Sequence, residues 1–418
     1  MRNWAGNLEY RAKEVLEPTS IEELQELVRA SSQLRVLGSR HSFNDIADTT
    51  GDHLSLVRLP RQIEIDEADR TVTVDGGIRY GELCGPLHAA GFALHNLASL
   101  PHISIAGACA TGTHGSGDRS GGLGTAVVGM EVVTADGELR TVTRESDAET
   151  LNGAVVSLGA IGVVASLTLA IEPTYEVRQD VYEDLPLSVV ASHFEELMSM
   201  ADSVSLFTEW RGPTIDMAWL KRRLTSTRDP APSTLFGATL ATADRHPIRR
   251  MSAAACTPQL GVPGPWFDRL PHFRMDHTPS AGDELQSEYL VPREHGVEAL
   301  LALDHLRDRM SKLILVSEVR TVAADSLWLS MAFERPSVAF HFTWKPDWDG
   351  VRRLLPDIEA ALRPFEPRPH WSKLFTMAPD DVRARYKRIP AFRELARRHD
   401  PTGKFRNDYL DRILFFGS

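Results

Sequence analysis

The sequence predicts an α+β protein of two units, on three observations. Over residues 1–172, short strands are repeatedly interrupted by glycine-rich loops. Beyond residue 172 glycine thins out and aromatic strands alternate with polar helices. The final stretch turns helical and basic again, as a segment returning to the first unit's surface would. The composition agrees: 418 residues, 42% hydrophobic and 25% charged, are those of an ordinary globular chain of about two to three domains. A net charge of -11 argues against nucleic acid or an anionic membrane as partner, because both need a basic face. Cys84, Cys109 and Cys256 have no CxxC spacing, so neither a disulfide framework nor a zinc ribbon is expected, and a reduced cytoplasmic setting is. The charged start MRNWAGNLEYRAKE lacks the apolar run of an export signal. Residues 151–171 are uncharged and long enough for a membrane span. Gly153, Gly159 and Gly162 instead divide them into a short helix, a turn and a buried strand.

In chain order, TSIEELQELVRAS is a helix capped by Ser20 with Glu23 three residues on, and Ile21, Leu24, Leu27 and Val28 share one face. LRVLG begins a strand, and the alternation in QIEIDEADRTVTVDGG makes two more. RYGELCGPLHAAGF is a short helix stopped by Gly91. VVGMEVVTADGELRTV is a hairpin turning at Asp136 and Gly137. Then VSLFTEW, DMAWLKRR and SVAFHFTW are strands and REHGVEALLALDHLRDRM a helix, all in a second unit over 173–374. RARYKRIPAFRELARRH is helical, and DPTGKF is a turn suited to carrying 375–418 back to complete the first unit.

No phosphate-binding GxxxxGKS/T loop, GxSxG elbow, HExxH helix or strand-linked GxGxxG is present. What remains is three glycine- and serine-rich turns: VLGSRHSFN at 36–44, ASLPHISIAGACATGTHGSG at 98–117 and SLGAIGVV at 157–164. Glycine lets backbone approach a ligand, and successive N–H groups in such turns form a concavity for phosphate. The loops are either the cradle of a large diphosphate-bearing cofactor or the tight turns of a short-stranded fold. In the second unit, Glu318 and Arg320 lie two apart on one strand face, as do His341 and Thr343. They either converge on one pocket or form a cross-strand ion pair beside a satisfied histidine. His95, His102 and His114 match no metal-ligand spacing and have no accompanying carboxylate, and no metal is expected.

The pairing of LGSRHSFN with SLPHISIAGACATGTHGSG, followed by SLGAIGVV, resembles the FAD-linked oxidases of the vanillyl-alcohol oxidase fold. SEVRTVAAD, VAFHFTW and RPHWSKLFT look specifically like the alditol (xylitol) oxidases, over nearly the whole chain. The resemblance implies a two-domain fold: a PCMH-type FAD-binding domain of two packed α+β subdomains, and a substrate-binding cap with an antiparallel sheet. It implies that His41 bonds covalently to the flavin. Because no cysteine occupies the position used by bicovalent relatives, where His102 and Ser104 lie instead, a single histidyl link follows. Val36, Leu37, Gly38, Ser39, Arg40, His41 and Ser42 would hold the diphosphate. Ser99, Ser104, Gly107, Ala108, Cys109, Ala110, Gly112, Thr113, His114, Gly159, Ile161 and His370 would wrap the rest of FAD. Glu318 and Arg320 would hold polyol hydroxyls, with Ser99, Thr343, His341 and Lys373 around the reacting end.

The implied reaction oxidises a terminal alcohol of a small polyol, xylitol or sorbitol, to the aldose, with O2 as acceptor and H2O2 as product. His341 and Lys373 both remain open as the base, and Arg320 as stabiliser of an alkoxide or of reduced flavin. An aldonolactone dehydrogenase of the same fold is the alternative. A monomer is expected. Arg40 stands where relatives often have glycine, so either the turn suits any residue or a small strain there is offset by charge near the diphosphate.

Overall fold

The protein is described by a computed structural model covering residues 1–224, 231–277 and 284–415. Residues 63–170 supply a five-stranded antiparallel sheet in the order Ile63–Asp66, Thr71–Asp75, Val163–Ala170, Val127–Val133, Leu139–Thr143. Beside it, Val15–Leu16, Asp52–Leu54 and Leu34–Val36 form a small parallel sheet. The alternating residues of QIEIDEADRTVTV fall on two paired strands, with Val72 and Val74 fully buried.

A ten-stranded sheet occupies residues 176–369. Its centre is Ser203–Thr208, Ile314–Val322, Ser337–Trp344 and Leu285–Pro292, antiparallel and in that order. Alternation sorts its faces. Val319, Phe340, Phe342 and Tyr289 pack against Val190, Phe194, Leu300, Leu303, Val351 and Ile358 from helices Leu187–Ser199, Gly296–Asp304 and Trp348–Leu362. The opposite face carries polar residues in register: Glu318, His341 and Glu288 form one row across three strands, with Phe207 paired to Glu318 on the fourth.

Most local expectations hold, with two differences. The helix Ile21–Ala30 is capped by Ser20, but Glu23 reaches past it to the amide and hydroxyl of Thr19 at 2.7 and 2.8 Å. REHGVEALLALDHLRDRM is not one helix: it is a single turn, Gly296–Asp304 and Arg307–Leu313, broken at His305–Leu306. The 151–171 segment is helix end, turn and strand, and among the described residues no helix is long and apolar enough to cross a membrane. At the DPTGKF turn, Lys404 Nζ donates to the carbonyls of Val28 (2.5 Å) and Ala135 (2.8 Å).

Candidate functional site

The glycine-rich loops line one cleft of about 420 Å³. They are tied together by backbone: the Ser104 amide donates to Ser39 Oγ at 3.2 Å, and the Leu158 amide to the Ala110 carbonyl at 3.0 Å. Arg35, 4% exposed and with no carboxylate partner among the described residues, donates to four carbonyls, those of Ile46, Leu158, Gly159 and Phe405. A buried cation spent on carbonyls fixes the strand end and the third loop to one another, and burial brings its pKa down to about 10. The approach is too close for side chains: a Cβ on Gly38 would lie 2.5 Å from Ser104 Oγ, and one on Gly77 2.3 Å from the Leu56 carbonyl.

Arg40 has φ +64°, so the turn does need the left-handed conformation that arginine resists. Its carbonyl accepts from the Trp4 amide at 2.9 Å, which helps hold it there. Next to it, His41 lines both this cleft and a second cavity, and its ring stacks on Trp4 with centroids 4.7 Å apart. Burial, then the neighbouring His102, Arg79 and Arg40, push its pKa down to about 4, so the imidazole is neutral and its nitrogen lone pair available. A glycine-walled cleft with cationic rim residues Arg40 and Arg79 and a neutral histidine at its inner end fits a diphosphate-bearing flavin.

The second cavity, about 170 Å³, lies between the loops and the polar face of the large sheet. Its floor is a charged network. Glu288, 1% exposed, accepts from Arg320 Nη2 at 2.5 Å and from Lys373 Nζ at 2.6 Å, with His114 Nε2 at 3.4 Å, an electrostatic contact longer than a good hydrogen bond. Arg320 Nε is 3.6 Å from Glu318 Oε2, and Glu318 Oε1 is 2.8 Å from His272 Nε2. His341 Nε2 lies 3.1 Å from Gln286 Oε1.

Burial pushes both carboxyls up, but Lys373, His114 and Arg320 hold Glu288 well below the usual range, and Arg320 and His272 do the same for Glu318. His341 and His370 are driven well below an ordinary imidazole by burial and Lys373. Lys373 is itself lowered by burial and Arg320, with Glu288 opposing. Two carboxylates, two cations and neutral histidines in a closed space suit a polar substrate rich in hydroxyls.

Of the residues expected at a cofactor, Val36 to Ser42, Ser104, Gly107, Ala108, Ala110, Thr113 and Gly159 line the cleft. Ser99, His114 and His370 line the second cavity instead, with Glu318, Arg320, His341, Thr343 and Lys373. Cys109, Gly112 and Ile161 line neither. Cys109 is on the inner side of helix Ile105–Ala110, 3.8 Å from Tyr80 OH. Ile161 is fully buried in the core, and Gly112, at φ +72°, turns the loop over Met331.

Glu318 and Arg320 do share a face and contact each other, but the partner that ties Arg320 to Lys373 is Glu288, unanticipated from sequence. A signal was there: Glu284, Gln286 and Glu288 alternate with Leu285, Ser287 and Tyr289, and all three line the cavity. Gly76, Gly77 and Arg79, which follow a strand as VDGGIR, were also missed in the cleft. The three histidines at 95, 102 and 114 go separate ways, to Thr125, the Met275 carbonyl and Glu288.

The FAD binding domain family matches residues 12–143, the part that builds most of the cleft, and the D-arabinono-1,4-lactone oxidase family matches residues 283–413. Among solved structures, cholesterol oxidase from B. sterolicum superposes with a TM-score of 0.78 at 15% identity, covering 99% of this chain and 96% of that one. Xylooligosaccharide oxidase from Myceliophthora thermophila C1 gives 0.77 at 14% identity, covering 98% and 93%. Fold, cleft and sequence match together define an FAD-dependent oxidoreductase with the vanillyl-alcohol oxidase fold.

Within that class the chain belongs to the alditol oxidase family. It is 49% identical over 416 residues to an alditol oxidase from Streptomyces sp., covering 99% of this chain and 98% of the relative. An L-gulono-1,4-lactone dehydrogenase from Mycobacterium tuberculosis is 29% identical, with the same coverage of each chain.

Proposed function

We propose that the protein oxidises the terminal primary alcohol of alditols such as xylitol and sorbitol to the aldose, using O2 and releasing H2O2. The observation that carries this reading is the buried Glu318–Arg320–Glu288–Lys373 network opening on the flavin cleft, in a chain 49% identical to an alditol oxidase. FAD, when bound, supplies the acceptor for the hydride that leaves the alcohol carbon.

The chain's own residues then have to orient the polyol and remove one proton. Ionised Glu318 accepts from substrate hydroxyls while Arg320 donates to them. His341 is the base: burial keeps its imidazole neutral, whereas the proton of Lys373 is pinned by Glu288 at 2.6 Å. Lys373 and Arg320 stabilise the alkoxide as it forms, and Thr343 and Ser99 border the reacting end. Val36 to Ser42, Ser104, Gly107, Ala108, Ala110, Thr113 and Gly159 hold FAD. His41 makes the single covalent link, supported by its neutral ring at the inner end of the cleft. Residues 1–172 with 375–418 form the FAD-binding domain and 173–374 the substrate-binding cap, a division supported by sheets built from 63–170 and 176–369. Free, buried cysteines suit a reducing, cytoplasmic setting.

A lactone-oxidising dehydrogenase is the second reading, favoured by the family match over 283–413. One panel separates them: alditols and aldonolactones assayed in air for peroxide, and with an artificial electron acceptor. Alditol-dependent peroxide is expected. Turnover of lactones alone, or turnover only with the artificial acceptor, would overturn the first reading.

A further inference from the structure

Behind the cavity wall lies a buried lysine that the reaction itself does not use. Lys221, on strand Thr214–Arg223 and 1% exposed, has no carboxylate bonded to it among the described residues. Its Nζ donates to the carbonyls of Leu270 (2.5 Å) and Pro271 (3.2 Å), and it is 3.0 Å from His272 Nδ1. Burial brings the lysine's pKa down to about 7, with Glu318 opposing; in its charged form it has three donors and no acceptor, and these three contacts use it completely. With the lysine charged, Nδ1 of His272 is the acceptor, and the ring's one N–H sits on Nε2, where it donates to the ionised Glu318 Oε1 at 2.8 Å. The edges of Phe207 and Trp219 pack on the imidazole with centroids at 5.4 and 5.3 Å, which prevents the ring from turning.

We propose that Lys221 and His272 are positioning residues that set the chemistry of Glu318. The lysine fixes the histidine as the neutral Nε2–H tautomer, the histidine ties up one carboxylate oxygen, and the other is left as a pure acceptor beside Arg320. Glu318 therefore accepts only from a group that donates. That favours a free substrate hydroxyl over an ether or carbonyl oxygen at this subsite, and so a polyol. This rests on Glu318 contacting substrate as proposed above. Without the lysine, Nδ1 of His272 loses its donor, and the ring is free to take up a proton there and pair with Glu318 as a cation, which weakens the charge Glu318 offers the substrate.

The test is a double-variant cycle in the flavin-loaded enzyme, with kcat and KM measured on the best alditol. His272→Leu and Lys221→Met are each expected to raise KM on the order of tenfold with kcat little changed, the signature of lost substrate binding away from the reacting carbon. His272→Gln retains an acceptor for Lys221 and a donor for Glu318 and is expected to keep KM near the wild type. Because the glutamine amide always has a donor to offer, adding His272→Gln to Lys221→Met should recover much of the lysine variant's KM.

Flavin content and melting temperature are followed throughout. If Lys221→Met does not fold, the contrast between His272→Gln and His272→Leu carries the test alone. Equal KM for those two, or losses in the Lys221→Met and His272→Gln pair that simply add, would overturn the inference. A wild type inactive on every alditol would overturn the proposed function and the inference with it, whereas an active wild type with unaffected variants overturns the inference only.

Discussion

Replacing Glu288 by glutamine keeps the shape of the network and removes its central charge. In the native protein this carboxylate, 1% exposed, bonds to Arg320 at 2.5 Å and Lys373 at 2.6 Å. With charge centres ~4 Å apart and an effective dielectric of ~20, each pair is worth about 4 kcal/mol before desolvation. Removing one member of such a buried set typically costs about 3–5 kcal/mol, because the partners are left uncompensated. The amide oxygen of glutamine can satisfy one cation, while its NH2 faces the other. Lys373 provides the relief. Burial and Arg320 already lower its pKa and Glu288 is what raises it, so without Glu288 the pKa falls further and the proton is more easily lost.

The expected outcome is a fall in kcat/KM for the alditol of about a hundredfold at neutral pH, within what the lost interactions allow. The deficit should shrink as pH is lowered, since acid restores the charged lysine. Peroxide release measured across pH for Glu288→Gln and wild type checks this, with urea unfolding midpoints as the stability readout. A variant within twofold of wild type, with an unshifted pH profile, would refute the view that Glu288 holds the charge of Lys373.

Three further outcomes follow from the cleft and the second cavity. His41→Ala should leave all flavin in the supernatant after acid precipitation, where wild-type protein keeps a fluorescent band on a denaturing gel; flavin still attached in the variant would show that the link lies elsewhere. In that exchangeable background, Arg40→Gly removes a left-handed strain of about 1 kcal/mol but also a cation at the rim, so FAD affinity should fall a few-fold, most at low salt, while melting of the flavin-free protein does not fall. Ala98, 8% exposed in the wall of the second cavity, leaves space beside Ser99, and Ala98→Val should slow reoxidation by oxygen in stopped flow while alditol-driven reduction keeps its rate. An unchanged oxidative phase would remove Ala98 from the oxygen path.

Features set by near neighbours were legible in the chain. The helix over 21–30, the hairpin at Asp136–Gly137 and the broken 151–171 segment follow from caps, turn residues and glycines within a few positions. The same is true of the loop around His41 and of the shared strand face of Glu318 and Arg320, since period-2 alternation is a local property. The proposal that His41 and the polar strands serve a flavin comes from resemblance and not from spacing. Local pattern does not say which way a side chain in these loops points: one helical face and one turn direct Cys109 and Ile161 into the core.

By itself the sequence determined which residues lie on each strand face and which loops lack side chains, because both depend on alternation and on glycine within a few residues. Only the tertiary structure decided who meets whom. Glu288 faces Arg320 because Ser337–Trp344 pairs with the Glu288 strand on one side and the Arg320 strand on the other. Lys221 reaches His272 from a strand some 50 residues earlier. Such partners are fixed by sheet register and by the need of each buried charge for a counter-charge or a full set of hydrogen bonds, a requirement no local window contains.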